Sequence, residues 1–348
     1  MQALTVIPGR ADSARIEEVA SPPESDGAIL ARTLALGICG TDHEIAAGRY
    51  GWAPAGRPRL ILGHESLGRV ESAPAGSGFA PGDLVVGIVR RPDPEPCPPC
   101  AAGEWDMCRN GRYTERGIKE RDGFGAQRFR IEPEFAVRVD PALAETAVLL
   151  EPTSIVAKAW DHVERMLAGA HWQPRRVLVT GAGPIGLLAA LLARQRGLEV
   201  HVLDRAVAGP KPALVRDLGA TYHAGSLDGL GFAPDIVIEC TGAASVFVAV
   251  LGLAAPDGVV CLAGVSSGGH TLAIDVGLVN RALVLHNTIV FGSVNANRTH
   301  YEAAAVALSR ADPGWLRRVI SRRVPLARWS DALQRQPDDV KVVIDFTV

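Results

Sequence analysis

The sequence predicts a two-domain α/β protein: an irregular, β-rich domain interrupted by a doubly wound parallel-sheet domain. Three observations carry this prediction. The chain has 348 residues, and at roughly 150 residues per domain that is the length of two. The first 150 residues are rich in Gly and Pro and break into short β-like runs. From about Arg175 onward, apolar strands alternate with Ala- and Leu-rich helical stretches, the pattern of a parallel sheet covered by helices.

The β-like runs of the first part are Leu34 to Ile38, Gly68 to Glu71, Asp83 to Val89 and Ala136 to Val139, each bounded by turn residues. The strands of the second part are Val177 to Thr180, Val200 to Leu203, Ile236 to Glu239 and Val259 to Gly264. Between them, Pro184 to Arg196, Lys211 to Leu218 and Ala244 to Ala254 read as helices. The tail opens with a helix-like segment, Thr299 to Ser309, and ends in an alternating stretch, Val340 to Phe346, whose texture matches the first part. The expected domains are therefore residues 1–155 with 296–348, and residues 156–295.

Composition excludes several classes. Lys plus Arg is 36 and Asp plus Glu 38, a formal net charge of −2 with both signs scattered, so there is no electrostatic footprint of a nucleic-acid binder. With 47% hydrophobic and 21% charged residues, the chain has enough apolar material to fold unaided. The longest uncharged stretches, such as Val177 to Ala193, are interrupted by Gly, Pro and Thr, whereas a spanning helix needs about 20 mostly apolar residues. The N-terminus has no basic start followed by an apolar run, so a cytoplasmic location is expected. Three of the six cysteines cluster at Cys97, Cys100 and Cys108, a spacing that suggests metal rather than disulfide.

The strand Arg176 to Thr180 runs directly into Gly181-Ala-Gly183-Pro184-Ile185-Gly186 and then into a helical stretch. In that context a GxGxxG becomes a dinucleotide fingerprint. Gly181 allows the tight turn, Gly183 lets the backbone approach the pyrophosphate, and Gly186 lets helix and strand pack closely. The pyrophosphate would lie on the helix N-terminus. Asp204 follows Gly181 by 23 positions, near the ~20 expected for the acid that binds the adenosine ribose, which favours NAD. Arg205 is the counter-signal, since a guanidinium there would pair with the 2′-phosphate of NADP. His286 and Asn287 precede an apolar run and line a nicotinamide site or simply form a helix-to-strand turn. Cys240 and Cys261 fall in apparent strands and read as core.

Three separated segments supply metal-ligand types: Cys39 and Thr41 in GICGTD, His64 and Glu65 in GHESLG, and Glu151 in LEP. Zinc takes sulfur, nitrogen and oxygen ligands, and a catalytic site leaves one position open. Singly, Cys39 reads as a small buried hydrophobe and His64 as a structural residue. Beside a dinucleotide motif, their combination reads as zinc.

GICGTD, LGHESLGRV, CPPCAAGEWDMC and GAGPIG together resemble the zinc-dependent medium-chain dehydrogenase/reductase family over essentially the whole chain. RRP at Arg90 to Pro92, Asp106 to Phe124, Leu149 to Ala159 and Val284 to Ala296 are similar to its archaeal-type glucose 1-dehydrogenase branch. The resemblance implies a GroES-like catalytic domain, a Rossmann domain, and hydride transfer from C1 of an aldose to NAD or NADP, giving a lactone. It implies that Cys39 and His64 bind the catalytic zinc and that Glu65 and Glu151 bind it directly or through water while facing the sugar. Thr41 would start a proton relay, with His43 a candidate further along. Glu115 and Asn295 would hydrogen-bond sugar hydroxyls; without the resemblance, Glu115 would read as a surface ion pair and Asn295 as a turn residue. A homodimer or homotetramer is implied as well.

The wider family carries Cys-x2-Cys-x2-Cys-x7-Cys, and here Cys97, Cys100 and Cys108 keep the last three while Pro94 stands where the first belongs. Asp93 would supply the missing ligand of a second, structural zinc; the other reading is a metal-free lobe. Two further functions stay open: the same chemistry on a polyol, cyclitol or simple alcohol, and a dinucleotide-binding sensor without turnover. Retention of Cys39, His64, Glu65 and Glu151 argues against the sensor.

Overall fold

The strand Ile29–Ile38 is buried at alternate positions early and almost continuously later, because its second half is covered on both faces. It is the spine of a seven-stranded sheet, ordered Ala136–Val139, Leu84–Gly87, Glu65–Ser72, Ile29–Ile38, Lys341–Asp345 and Ile320–Pro325, with Arg128–Ile131 also paired to the spine. The computed structural model describes residues 1–266, 268–269 and 271–348. They divide into two units: residues 1–154 with 295–348, and residues 155–294.

In the first unit the tail strand Lys341–Asp345 pairs antiparallel with the spine and parallel with Ile320–Pro325. The last fifty residues are thereby built into the sheet that carries Cys39. Small sheets add Gln2–Val6, Arg15–Glu18 and Leu60–Ile61 on one side, and Arg90–Arg91, Thr114–Arg116 and Glu120–Arg121 on another.

The second unit is a six-stranded, all-parallel sheet ordered Thr221–Ala224, Glu199–Asp204, Arg176–Thr180, Ile236–Glu239, Val259–Leu262 and Ile289–Gly292. Counted along the chain this is 3-2-1-4-5-6, the doubly wound dinucleotide-binding order. Leu178, Val237 and Val260 from the central strands pack into one apolar cluster with Val250 and Ala254.

Some boundaries differ from the sequence reading. The strand at 259 ends at Leu262 rather than Gly264, because the amides of Ala263 and Gly264 both turn to the carbonyl of Glu239. The helix at 244 ends at Val250, and residues 251–254 form turns. In the second unit the strand Thr221–Ala224 has no counterpart in the sequence reading, and the helix Val276–Leu285 and strand Ile289–Gly292 have one only as the unbounded helix-to-strand turn at His286 and Asn287; in the first unit Gln2–Val6, Arg15–Glu18, Arg128–Ile131 and Ile320–Pro325 are likewise additions, as is the helix Leu150–Leu167. Thr221–Ala224 and Ile289–Gly292 are sheet edges with mixed patterns, and the helix Val276–Leu285 has no buried residue to give it an apolar/polar rhythm.

Candidate active site

The spine strand ends at Ile38, and Cys39 caps the helix Gly40–Ala46. Its Sγ accepts the amide of Thr41 at 3.2 Å, and its own amide donates to Asp42 Oδ2 at 2.9 Å, a capping box with sulfur in the usual hydroxyl place. Register then brings the other candidate ligands in: Glu65, first residue of the neighbouring strand, pairs with Gly37. A Cβ at Gly37 would collide with the Glu65 carboxylate, so the glycine leaves room for it. Cys39 Sγ lies 3.0 Å from His64 Nε2. The other ring nitrogen, Nδ1, is 3.4 Å from Asp42 Oδ1, so a fully buried carboxylate aims the imidazole.

Ligand atoms of Cys39, His64 and Glu65 all lie within 4.8 Å of one another. One sulfur, one nitrogen and one carboxylate oxygen, with His64 and Glu65 buried and Cys39 half-buried, are a donor set that fits zinc. The surrounding charge agrees. Burial pushes Glu151 up to about 8, with Glu65 raising it further and His64 and Lys341 opposing; such a carboxyl ionises readily only beside a cation. Glu151 stands outside the three-ligand group, at the start of the helix Leu150–Leu167. Glu65 is shared: Lys341 Nζ is 2.6 Å from both of its oxygens and 3.1 Å from the carbonyl of Ile38, with both side chains almost wholly buried. Thr41 sits in the first turn of the cap helix. His43, on the same helix, is half-buried, and burial with Arg335 lowers its pKa.

The first unit also brings Glu115 and Asn295 together across 180 residues. Asn295 Nδ2 donates to Glu115 Oε1 at 2.7 Å, and Arg90 donates to the same oxygen through Nε at 3.1 Å and Nη2 at 2.9 Å. Asn295 adopts a left-handed φ of 61°.

In the lobe, Cys97, Cys100 and Cys108 form a second compact group. Asp93 does not join it, which corrects its expected place as a ligand: Oδ1 accepts the amide of Glu95 at 2.8 Å and Oδ2 is taken by Arg112 at 3.2 Å. Three thiolates without a fourth protein ligand do not close a tetrahedral structural site.

In the second unit Gly181 has φ 91° and Gly186 packs so closely that a Cβ would strike the carbonyl of Gly181. Gly183 faces open space and caps the helix Pro184–Gln195 with no side chain on its first-turn amides, which leaves the Ile185 and Gly186 N–H groups for an anion. Asp204 is half-buried; burial raises its pKa, but the amides of Ala206 and Ala182, with Lys211 3.5 Å away, bring it below the ordinary value. Arg205 is exposed beside it. Asn287, with φ 51°, lies in the turn that ends the helix Val276–Leu285, next to His286 at its C-cap, the geometry of the turn alternative. Cys261 is wholly buried and Cys240 partly so, and burial pushes both thiols up, Cys261 to about 12.

Sequence reasoning missed Asp42, Lys341 and Arg90. Asp42 and Arg90 stand inside strings already singled out, whereas nothing local marks Lys341.

Residues 25–141 match the family described as "Alcohol dehydrogenase GroES-like domain" and residues 144–346 the family described as "Glucose dehydrogenase C-terminus". The chain belongs to the zinc-dependent medium-chain dehydrogenases, in their glucose dehydrogenase branch. Similar members of that branch include glucose 1-dehydrogenase of Methanocella arvoryzae, 40% identical over 99% of both chains, and that of Thermoproteus tenax, 39% identical over 99% of both. Among solved structures, Haloferax mediterranei glucose dehydrogenase in complex with NADP, Zn and gluconolactone superimposes with a TM-score of 0.91, at 31% identity and covering all of both chains.

Proposed function

We propose that this dehydrogenase oxidises a glucose-like aldose at C1 to the lactone, with zinc held by Cys39, His64 and Glu65, with Glu151 binding it directly or through water, and with NAD favoured over NADP. The observation that carries the proposal is the compact group of Cys39, His64 and Glu65 in a chain aligned end to end with glucose 1-dehydrogenases. When bound, zinc supplies Lewis-acid assistance to loss of the hydroxyl proton, worth several kcal/mol in a dry site, and the nicotinamide accepts the hydride. The chain's own residues do the rest. Asp42 orients His64, and Lys341 holds the Glu65 carboxylate in place. Thr41, two residues past Cys39, takes the hydroxyl proton toward solvent. Glu115 accepts hydrogen bonds from sugar hydroxyls that an apolar wall would leave unpaired. Gly181, Gly183 and Gly186 set the helix N-terminus under the pyrophosphate, with Pro184 and Ile185 in its first turn, and Asp204 accepts the ribose hydroxyls.

Two further features are part of this reading. The helix Val276–Leu285 exposes Val276, Leu278, Val284 and Leu285, and Ile289–Gly292 is a sheet edge. An exposed apolar face beside a free edge supports a homo-oligomer. All six cysteines are unpaired, which supports a reducing, cytoplasmic compartment; no described helix is long and apolar enough to cross a membrane.

The test is an initial-rate panel of aldoses, polyols, an inositol and a simple alcohol, each with NAD and NADP, with and without a zinc chelator. Chelator-sensitive reduction with an aldose is the expected result. Turnover only on polyols or alcohols refutes the substrate assignment, and a metal-free native protein without turnover returns the sensor alternative.

A further inference from the structure

The string Arg90-Arg91-Pro92 has no part in the reaction as proposed, yet Arg90 is 4% exposed and touches the carboxylate expected to meet the sugar. Glu115 Oε1 receives three hydrogen bonds, two from Arg90 and one from Asn295. Asn295 Oδ1 is itself occupied, accepting the amide of Ala296 at 2.8 Å. Arg90 cannot follow a moving partner. Its Nη1 donates to the carbonyl of Asp106 at 3.0 Å, and its guanidinium lies 3.7 Å above the Tyr113 ring. Glu115 Oε2 has no hydrogen-bonding partner among the described residues.

We propose that Arg90 is a positioning residue that fixes Glu115 through Oε1, so that Oε2 alone recognises the hydroxyls of an uncharged aldose. The proposal rests on Glu115 being a sugar contact, as set out above. Two consequences follow from the chemistry. The guanidinium fork fits the carboxylate through Nε and Nη2 while Nη1 is anchored elsewhere, a geometry that a single ammonium cannot reproduce. The buried pair also carries no net charge, so the subsite offers a cationic sugar little advantage over a neutral one. Without Arg90 the carboxylate would be both loose and uncompensated, and it would then favour an amino sugar.

The experiment measures initial rates on glucose and glucosamine, at saturating cofactor, for the zinc-loaded wild-type enzyme and for Arg90→Met, Arg90→Lys and Glu115→Gln. Arg90→Met is expected to raise the glucose KM at least about tenfold, with kcat falling less and the cofactor KM staying within about twofold. It should also raise the glucosamine-to-glucose ratio of kcat/KM at least about fivefold. Arg90→Lys keeps the charge and loses the fork; it should raise the glucose KM at least about threefold while leaving that ratio unchanged. A purely structural role would lower stability without moving the ratio. If Glu115→Gln raises the glucose KM while Arg90→Met moves neither KM nor ratio, the role of Arg90 is overturned and the sugar contact stands. If Glu115→Gln leaves the glucose KM unchanged, the sugar contact itself fails, and Arg90 with it. Should Arg90→Met not fold, Arg90→Lys decides: an unchanged glucose KM overturns the proposal.

Discussion

Replacing Lys341 by Met tests the ion pair that it forms with Glu65, one of the proposed zinc ligands. Lys341 and Glu65 have side chains 0% and 2% exposed, and the ammonium is 2.6 Å from both carboxylate oxygens. Removing one member of such a pair leaves a buried charge without its partner, at a cost of about 3–5 kcal/mol. For a folding unit of about 200 residues, each kcal/mol lowers Tm by about 2–4 °C, so Lys341→Met is expected to melt about 6–20 °C below the wild type. Calorimetry at matched zinc content reads this. The pH dependence follows from the sign of the shift. Burial lowers the pKa of Lys341, but Glu65 and Cys39 carry it above the ordinary lysine value. The stabilisation is therefore complete below about pH 10 and is lost only as pH rises through the folded value, so the Tm difference should be flat from about pH 6 to 9. Adding Glu65→Gln removes the stranded charge, and the double variant should recover about 2 kcal/mol relative to the sum of the singles. A drop of less than about 2 °C, or strict additivity, refutes a coupled buried pair.

Gly186→Ala places a methyl against the carbonyl of Gly181 and should weaken NAD(P) binding at least about tenfold, read by quenching of tryptophan fluorescence; unchanged affinity would show that the turn is not the cofactor cradle. Asp204→Ala should raise the NADP-to-NAD ratio of kcat/KM, and an unchanged ratio would mean that Asp204 does not read the ribose. Glu132 is held down at about 2, against burial, by Arg91 and Arg121; a depressed carboxylate stabilises above its unfolded value near 4.5 and loses that contribution as pH falls toward 2, so Glu132→Gln should flatten the acid limb of a stability-versus-pH curve. The Cys39→Ala/His64→Ala variant should carry no zinc after dialysis, because the cysteine lobe lacks a fourth ligand; one retained equivalent would show that an outside ligand closes it.

What the sequence made readable was local. The run from Arg176 through Gly186 announces itself because strand, turn and helix are consecutive, and Cys39 caps its helix within its own string. Contacts set by sheet register carry no such mark. Lys341 meets Glu65 across 276 residues only because the tail strand lies beside the spine, and Lys in an apolar strand gives no hint of its partner. Arg90, Glu115 and Asn295 likewise converge from three segments. The helix Val276–Leu285 shows in the sequence only as one reading of the turn at His286 and Asn287, for the opposite reason: it is apolar nearly all round, with no buried side to give it a rhythm.

The discontinuity of the first unit orders events during synthesis. Residues 155–294 form a contiguous unit and are able to fold as soon as they leave the ribosome, since domains generally fold as units in the order they emerge. The unit that carries Cys39 and His64 must wait much longer, because the strand Lys341–Asp345 that completes its sheet, and the lysine that balances Glu65, are translated some three hundred residues after the ligands. At roughly 5–20 residues per second that interval lasts about 15 to 60 seconds, during which an unfinished sheet edge and a buried-to-be carboxylate stand without their partners. The nascent chain is therefore most exposed to mispairing before its last strand arrives, and zinc is best captured after it.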